Sequence, residues 1–410
     1  MDNQAALTPG VTTPTPVQSL GSYRRAAFAA LMAAHCAGMV DLVALPVWVA
    51  TLIGGLRLDP QHAGALPTLF LVGVVMSSVV CSPLLLRLSA RLLPTRVFVT
   101  AGFALAALSF YGAGLAATYA AMAGLHLLAG LAAGSSLSIT HGTIGRSANP
   151  HRLFAFAGFA LGAFSIAFLG LTPHAVAAYG PRAFFSIVAV VMTVAALISA
   201  LAFPAVASVG VQAAPARPAK PHLAAPVWFA IAGVSCMALT QAMLASFVAR
   251  MGMERGFGLA AVTSVLIALG LVNLLPAPLA ALTQHRLNAR AVVLAGPLGQ
   301  AALALTITLG SGFSPYAIAT ALFPAVMIFC HTYAFGLLSR MDASGRAAAA
   351  TPAMVMAGAA AGPLLGGALV EHFGYGSLGC AALVVGALAC CCFARIPRSI
   401  ATFDTSGQNP

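Results

Sequence analysis

The sequence predicts an all-α integral membrane protein in which twelve transmembrane helices form two similar six-helix bundles. Three observations lead to this prediction. Of the 410 residues, 60% are hydrophobic and only 6% are charged, whereas a soluble domain carries about 25% charged residues. The apolar residues form stretches of about 20 residues, which is the length that a helix needs to cross a bilayer. Several arginine and proline positions of the first half also recur in the second half.

Polar breaks separate twelve apolar stretches, and each stretch is predicted to span the membrane. The spans are 26–53, 63–86, 97–118, 121–142, 153–173, 183–204, 227–249, 259–281, 291–311, 315–338, 349–370 and 376–394. Cytoplasmic loops carry an excess of arginine and lysine, which tests this count. With a cytoplasmic N-terminus, fifteen basic residues fall in cytoplasmic segments and four fall outside. We therefore expect a multi-pass protein of the cell inner (plasma) membrane with both termini in the cytoplasm.

The net charge of +12 could suggest a protein that binds nucleic acid. However, Lys220 is the only lysine, and the arginines stand in ones and twos between apolar stretches. Membrane proteins mark their cytoplasmic loops in this way, so we expect contact with anionic lipid and no nucleic-acid partner. Most of the cysteines lie inside apolar stretches, where they predict small buried side chains and no disulfide framework.

The longest predicted connection between spans joins span 6 to span 7. It is rich in alanine and proline, as a semi-rigid linker would be. Arg146 and Arg152 follow span 4, and Arg340 and Arg346 follow span 10 at the same spacing. This recurrence predicts two parallel repeats. The predicted divisions are a disordered cytoplasmic tail (1–22), an N-terminal bundle (23–204), a cytoplasmic linker (205–226), a C-terminal bundle (227–396) and a second cytoplasmic tail (397–410).

Span 11 contains the most specific motif, Gly358-Ala-Ala-Ala-Gly362-Pro363-Leu-Leu-Gly366-Gly367. Glycines four residues apart leave one helix face bare, so a neighbouring helix can pack closely. The proline bends the helix at that point. The motif and the twelve-span topology resemble the major facilitator superfamily, whose antiporters carry a similar glycine-proline motif in span 5. The resemblance implies a transporter with its substrate site at the midplane, between the two halves.

The loop after span 2 resembles the family's gating motif less closely. Arg87 and Arg91 are retained, but Leu86 stands where an aspartate is usual and Ser89 where a glycine is usual. Span 5 lacks the proline of the antiporter motif. The predicted gating residues are Arg87, Arg91, Gly358, Gly362, Pro363 and Gly366.

Ionisable side chains inside membrane spans are costly and therefore indicate functional sites. Asp41 is the only acid deep inside a span. A carboxyl group buried away from water favours its neutral form, so it can exchange a proton near neutral pH. His126 in span 4 is predicted to lie at a similar depth, and a structural hydrogen bond is the alternative role for both residues. The resemblance implies that spans 1, 4, 7 and 10 line a central cavity.

These spans supply the predicted site. The proton-coupling residues are Asp41 and His126, and the substrate-binding residues are Asp41, His126, Thr240, Gln241, His331, Thr332 and Tyr333. We expect a monomeric secondary transporter that moves a small organic solute, such as a drug, an aromatic compound or a siderophore-like metabolite. Coupling to protons is expected, without a cofactor, and export is slightly favoured over uptake.

Two other functions are alternatives. His35 and Met39 stand four residues apart on one face of span 1, and such soft ligands suit Cu(I), so import of copper or a metal chelate is an alternative. A membrane-embedded enzyme or sensor would need a catalytic set at membrane depth or an additional soluble domain, and the sequence indicates neither. Trp48 and Trp228, which lie towards span ends, are predicted to anchor the chain at the membrane interface.

Overall fold

The computed structural model describes residues 25–78, 94–147, 149–204, 223–342 and 351–397. Within these ranges the chain forms helices and no strands. The helices are α1 (Arg25–Gly38), α2 (Val40–Leu56), α3 (Pro60–Met76), α4 (Thr95–Leu115), α5 (Tyr119–Gly145), α6 (Pro150–Tyr179), α7 (Arg182–Ala202), α8 (Ala225–Glu254), α9 (Leu259–Val272), α10 (Pro276–Thr283), α11 (Ala289–Leu309), α12 (Phe313–Met341), α13 (Thr351–Phe373) and α14 (Gly376–Ala394). The predicted tails, most of the linker 205–226, and the gating residues Arg87 and Arg91 lie outside the described residues.

These helices correspond to the twelve predicted spans. Span 1 comprises α1 and α2, span 8 comprises α9 and α10, and each other span is one helix. In the described part of the chain, eleven helical segments are long and apolar enough to cross a membrane, and α3 is a shorter apolar helix of 17 residues. The predicted all-α membrane fold is confirmed.

Polar side chains in the short loops start several of the helices. The Asp59 carboxylate accepts a hydrogen bond from the backbone N–H of His62 (2.8 Å) at the start of α3. Thr118, Asn149 and Asn288 accept in the same way at the starts of α5, α6 and α11. Each cap satisfies backbone donors that have no partner inside the helix, so the polar breaks of the sequence become the helix boundaries.

Successive spans run in opposite directions, so the bundle has two ends. We call the end that holds Arg25 and Ala394 the tail face, and the end that holds Leu56 and Glu254 the far face. At the tail face, Arg96 donates to the carbonyl of Phe203 just after α7 (3.3 Å). Arg290 donates in the same way to the carbonyl of Ala394 at the end of α14 (2.8 Å). A positive charge at a helix C-terminus is stabilising. The same kind of contact thus joins span 3 to span 6 in the first half and span 9 to span 12 in the second half.

Helix packing repeats along the chain in a similar way. In the N-terminal half (α1–α7), α4 packs against α5 and α7, and in the C-terminal half (α8–α14), α11 packs against α12 and α14. The halves meet where α3 packs against α13, α2 against α8, and α6 against α9. These three helix pairs form the surface along which one half contacts the other.

Trp48 lies at the centre of the N-terminal half. The side chain is completely buried, so the prediction that it anchors the chain at the interface is wrong. Its ring centroid lies 5.5 Å from each of four other rings, those of Phe70, Phe110, His126 and Phe184. Trp48 does not reach the membrane interface because its side chain points from α2 into the bundle. Trp228 is 58% exposed, as an anchor requires.

The outward faces of the helices are apolar. Leu171, Leu201 and Val384 are 70% exposed or more, and they are part of a larger set of exposed leucine, valine and phenylalanine side chains on most of the helices. A soluble monomer rarely exposes contiguous apolar surface on this scale. A lipid bilayer covers such a surface, in agreement with the membrane fold.

Candidate functional site

Span 1 is interrupted beside Asp41. Helix α1 ends at Gly38, Met39 has the non-helical ψ of 18°, and α2 begins at Val40. Gly38 lies against Leu137 of α5, where an added Cβ would come within 2.7 Å of the leucine side chain. The apolar pattern of span 1 predicts one continuous helix and gives no sign of this break. Interrupted spans at membrane depth are a common way of building ion and substrate sites in transporters.

Asp41 occupies the first turn of α2 and is completely buried. Neither carboxylate oxygen makes a hydrogen bond, although the backbone N–H groups of Asp41 and Leu42 lie nearby. The positive end of a helix favours a negative charge at this position. A buried charge without a partner is nevertheless expensive. A proton, a cation or a donor group on a solute would each relieve that cost.

His126 lies in the aromatic cluster around Trp48. Its Nδ1 is 2.7 Å from the carbonyl oxygen of Met122, and because a carbonyl can only accept, Nδ1 carries the hydrogen. Its Nε2 is buried without a hydrogen-bond partner. The ring is 6.0 Å from the rings of Phe110 on α4 and Phe185 on α7. His126 therefore faces the interior of the N-terminal half, and it makes no hydrogen bond to Asp41.

One of the two predicted site residues of span 7, Gln241, contacts the neighbouring span 9. Gln300 on α11 donates from Nε2 to the carbonyl of Met237 (3.2 Å) and to Oε1 of Gln241 (3.3 Å). Thr240 is 2% exposed, and its hydroxyl has no partner. Gln241 thus links α8 to α11, and Thr240 retains an unused buried hydroxyl.

The predicted residues of span 10 lie in the tail-face half of α12. The hydroxyl groups of Tyr333 and Thr283 are 2.8 Å apart, and Nδ1 of His331 is buried without a partner. Thr332 and Tyr333 line a cleft of about 190 Å³ together with Gln284. The structure thus groups the predicted site residues in three places: Asp41 at the break in span 1, His126 in the aromatic cluster, and the residues of spans 7 and 10 within the C-terminal half.

The glycine stripe of span 11 packs within its own half. An alanine Cβ at Gly362 would come within 2.7 Å of Ala242 on α8, and one at Gly366 within 2.9 Å of Phe247. An added Cβ at Gly358 would contact the backbone of Ser235, which is also on α8. These three predicted gating glycines therefore set the spacing between α13 and α8.

The other side of span 11 contacts span 2 across the two halves. Gly64 of α3 lies against the backbone of Pro363, and an added Cβ would be 2.7 Å from the Pro363 carbonyl carbon. Gly367 lies against Pro60 in the same way. The sequence motif includes Gly367 but does not indicate its contact with span 2, and nothing in the sequence indicates the role of Gly64, because a glycine in an apolar stretch does not show which neighbouring helix it faces.

Hydrogen bonds strengthen this contact between the halves. The backbone N–H of Leu364 donates to Oγ1 of Thr68 (3.1 Å), and that of Gln61 donates to the carboxylate of Glu371 (3.1 Å). Pro60, Gln61 and Glu371 lie at the far-face ends of their helices. The two halves are therefore in close contact at the far face.

Asp59 adds an ionisable group beside this contact, outside the membrane spans. Partial burial raises the pKa of its carboxyl, but the backbone and side-chain hydrogen bonds from His62 outweigh that effect. The His62 ring nitrogen is 2.6 Å from the carboxylate. Together these contacts hold the pKa of Asp59 below its usual range.

Comparisons with known proteins agree with the fold. The family model of the Major Facilitator Superfamily matches residues 30–341. The crystal structure of the nucleoside transporter NupG is similar with a TM-score of 0.68 at 14% identity, covering 92% of this chain and 100% of NupG. A D-xylose-proton symporter is similar with a TM-score of 0.67 at 15% identity, covering 90% of this chain and 97% of that one. No curated protein sequence matches the chain significantly. Since the family model covers most of the chain, the protein belongs to the major facilitator superfamily of membrane transporters and is not an enzyme.

Proposed function

We propose that this transporter moves a small organic solute by alternating access and couples the movement to protons through Asp41. The single observation that carries the proposal is the buried Asp41 carboxylate without a hydrogen-bond partner, next to the break in span 1. Leaving an ionised carboxylate in this environment costs several kcal/mol. The side chain is therefore stable when it holds a proton and unstable when it has lost one, unless a bound solute or cation replaces the proton.

Alternating access requires the two halves to separate first on one side and then on the other. The contacts of Gly64 with Pro363 and of Gln61 with Glu371 hold the halves together at the far face. We propose that this state is open at the tail face and that the tail face is cytoplasmic. The excess of arginines in the tail-face loops supports this orientation.

The proposed solute is neutral or weakly charged and partly apolar. Asp41 is the only acid deep inside a span, and no arginine lies deep in spans 1, 4, 7 or 10, so multiply charged solutes of either sign would lack partners. One structural neighbour carries nucleosides and another carries D-xylose with protons, according to their names. These two solute classes belong in the first test panel, beside aromatic acids and planar drugs.

The copper alternative receives less support. In the described part of the chain, no three histidine, cysteine, aspartate or glutamate side chains lie close enough together to hold one metal ion. His35 is hydrogen bonded to another histidine, His141. Met39 lies at the break between α1 and α2. We therefore keep proton-coupled movement of an organic solute as the proposal.

The test is solute flux in proteoliposomes with an imposed pH gradient, comparing wild type with Asp41→Asn. The amide has the shape of the carboxyl group but cannot exchange a proton. We expect wild type to accumulate at least one solute of the panel against its gradient, and Asp41→Asn to lose that accumulation. Asp404→Asn, in the C-terminal tail, is the matched control. Full pH-dependent accumulation by Asp41→Asn would show that Asp41 has a structural role. The direction of flux in wild type decides between export and uptake.

A further inference from the structure

His35 and His141 form a pair that the sequence did not indicate, since 106 residues separate them. Nδ1 of His35 on α1 is 3.0 Å from Nε2 of His141 on α5. The ring centroids are 5.1 Å apart, and the planes are tilted by 36°. His35 is only 6% exposed. The pair links span 1 to span 4 on the tail-face side of Asp41, which lies six residues after His35.

The chemistry of two hydrogen-bonded imidazoles limits how many protons they can hold. When both rings are neutral, one nitrogen must donate and the other must accept. One additional proton keeps this arrangement and makes the donor ring positive, and a charge-assisted hydrogen bond is roughly twice as strong as a neutral one. A second proton would leave no acceptor and would break the contact. The pair can therefore hold one additional proton, and no more, while it remains intact.

An aromatic ring lies beside the pair. The Phe154 ring of α6 lies 5.6 Å from the His141 ring, within the distance at which an aromatic ring stabilises a cation. The charged and titratable side chains described on this side of α1, α4, α5, α6 and α7 are Arg25, Cys36, Arg96, Arg146 and Arg152. Arg146 and Arg152 are exposed, so water and salt screen their repulsion. Arg152 itself lies over the Phe156 ring, at 5.6 Å.

We propose that His35 and His141 form a second proton-binding site, which holds one proton between spans 1 and 4 on the tail-face side of Asp41. Binding strengthens the contact between the two spans, and release to the tail-face solution weakens it. If the proposed function holds, the pair lies between Asp41 and the tail face and passes protons between them. Counting ~1.5 Å per residue, six residues of helix place His35 ~9 Å from Asp41 along the span.

The test is a histidine titration that needs no transported solute. The full chain, labelled with ¹⁵N-histidine and freed of metals with a chelator, is placed in lipid nanodiscs, and imidazole spectra are recorded from about pH 8 to about pH 4.5. We expect the signals of two rings to change together in one step that takes up one proton. The step should disappear in His35→Gln and in His141→Gln, and it should remain in His174→Gln, an exposed histidine of α6.

Several results would overturn the proposal. Both rings could stay neutral over the whole range, they could titrate independently, or the step could persist in His141→Gln. A change that occurs only after Cu(I) or Zn(II) is added would make the pair a metal site instead. Helix content, measured by circular dichroism, shows that the variants are folded. The same titration is run on Asp41→Asn. If that variant loses proton-coupled flux but keeps the one-proton histidine step, the failure of one proposal is distinguished from the failure of the other.

Discussion

Replacing Gly64 by alanine should open the far face of the transporter. Gly64 lies against the backbone of Pro363 in the other half, and an alanine Cβ would be only 2.7 Å from the Pro363 carbonyl carbon. Backbone atoms cannot move aside as the end of a flexible side chain can. The clash is therefore relieved only if α3 and α13 move apart, which is the movement that opens the far face.

The alanine destabilises the state with a closed far face by overpacking a close contact, which typically costs about 1–3 kcal/mol. The clash is present only when the far face is closed, so the whole cost appears in the equilibrium between the two states. A change of 1–3 kcal/mol shifts such an equilibrium by about 5- to 150-fold. The gain in helix propensity on replacing glycine, about 1 kcal/mol, is common to both states and cancels.

The assay measures the distance between spin labels at Arg57 and His372, exposed residues on opposite halves of the far face. Pulsed electron resonance on the protein in nanodiscs gives the populations of short and long distances. We expect Gly64→Ala to raise the long-distance population strongly. Gly158→Ala is the matched control, because no heavy atom lies within 4 Å of the position of its Cβ. Equal distance distributions for Gly64→Ala and Gly158→Ala would refute the assignment of this contact to the gate.

Two further predictions concern stability. Trp48→Ala should lower the free energy of unfolding by about 3–5 kcal/mol, because it empties the centre of the aromatic cluster. Trp228→Ala, at a 58% exposed position, should have little effect, and equal losses of stability in thermal denaturation would contradict the packing described here. Asp59→Asn should cost about 1 kcal/mol or less, since the cap of α3 is exposed and an amide retains part of it. The pKa of Asp59 is lowered by folding, so its contribution is complete above about pH 4 and is lost as the pH falls through the lower, folded value. Melting temperatures at pH 7 and pH 3 should therefore differ less in Asp59→Asn than in wild type, and an unchanged difference would argue against the cap.

The sequence predicted the number of spans correctly because each requires a long apolar stretch, which is visible in composition alone. It also indicates Asp41 as a candidate coupling residue, since one acid in an apolar span is conspicuous, and that role stays a prediction. It did not predict the break at Met39. Residues 35–45 have no proline, and Gly38 alone does not distinguish a break from a close helix contact.

Which way a side chain points was the main source of error. The position of Trp48 towards a span end predicts an interfacial anchor, but the side chain points into the aromatic cluster of the N-terminal half. The sequence likewise does not reveal that His126 lies in this cluster, and its role in proton coupling stays a prediction. The glycines of span 11 were recognised as a packing surface. Their partners, α8 on one side and α3 on the other, depend on the arrangement of the helices. The contact between His35 and His141 likewise depends on how α1 and α5 pack, which no local pattern reveals.

The most direct test of the central claim is to measure protons and solute in the same vesicles. Proteoliposomes loaded with a pH-sensitive dye receive the solute that wild type moves fastest, without an imposed pH gradient. Coupling through Asp41 predicts that solute movement in wild type drives a pH change inside the vesicles and that Asp41→Asn gives none. A pH change in Asp41→Asn equal to that of wild type, per molecule of solute moved, would contradict the claim.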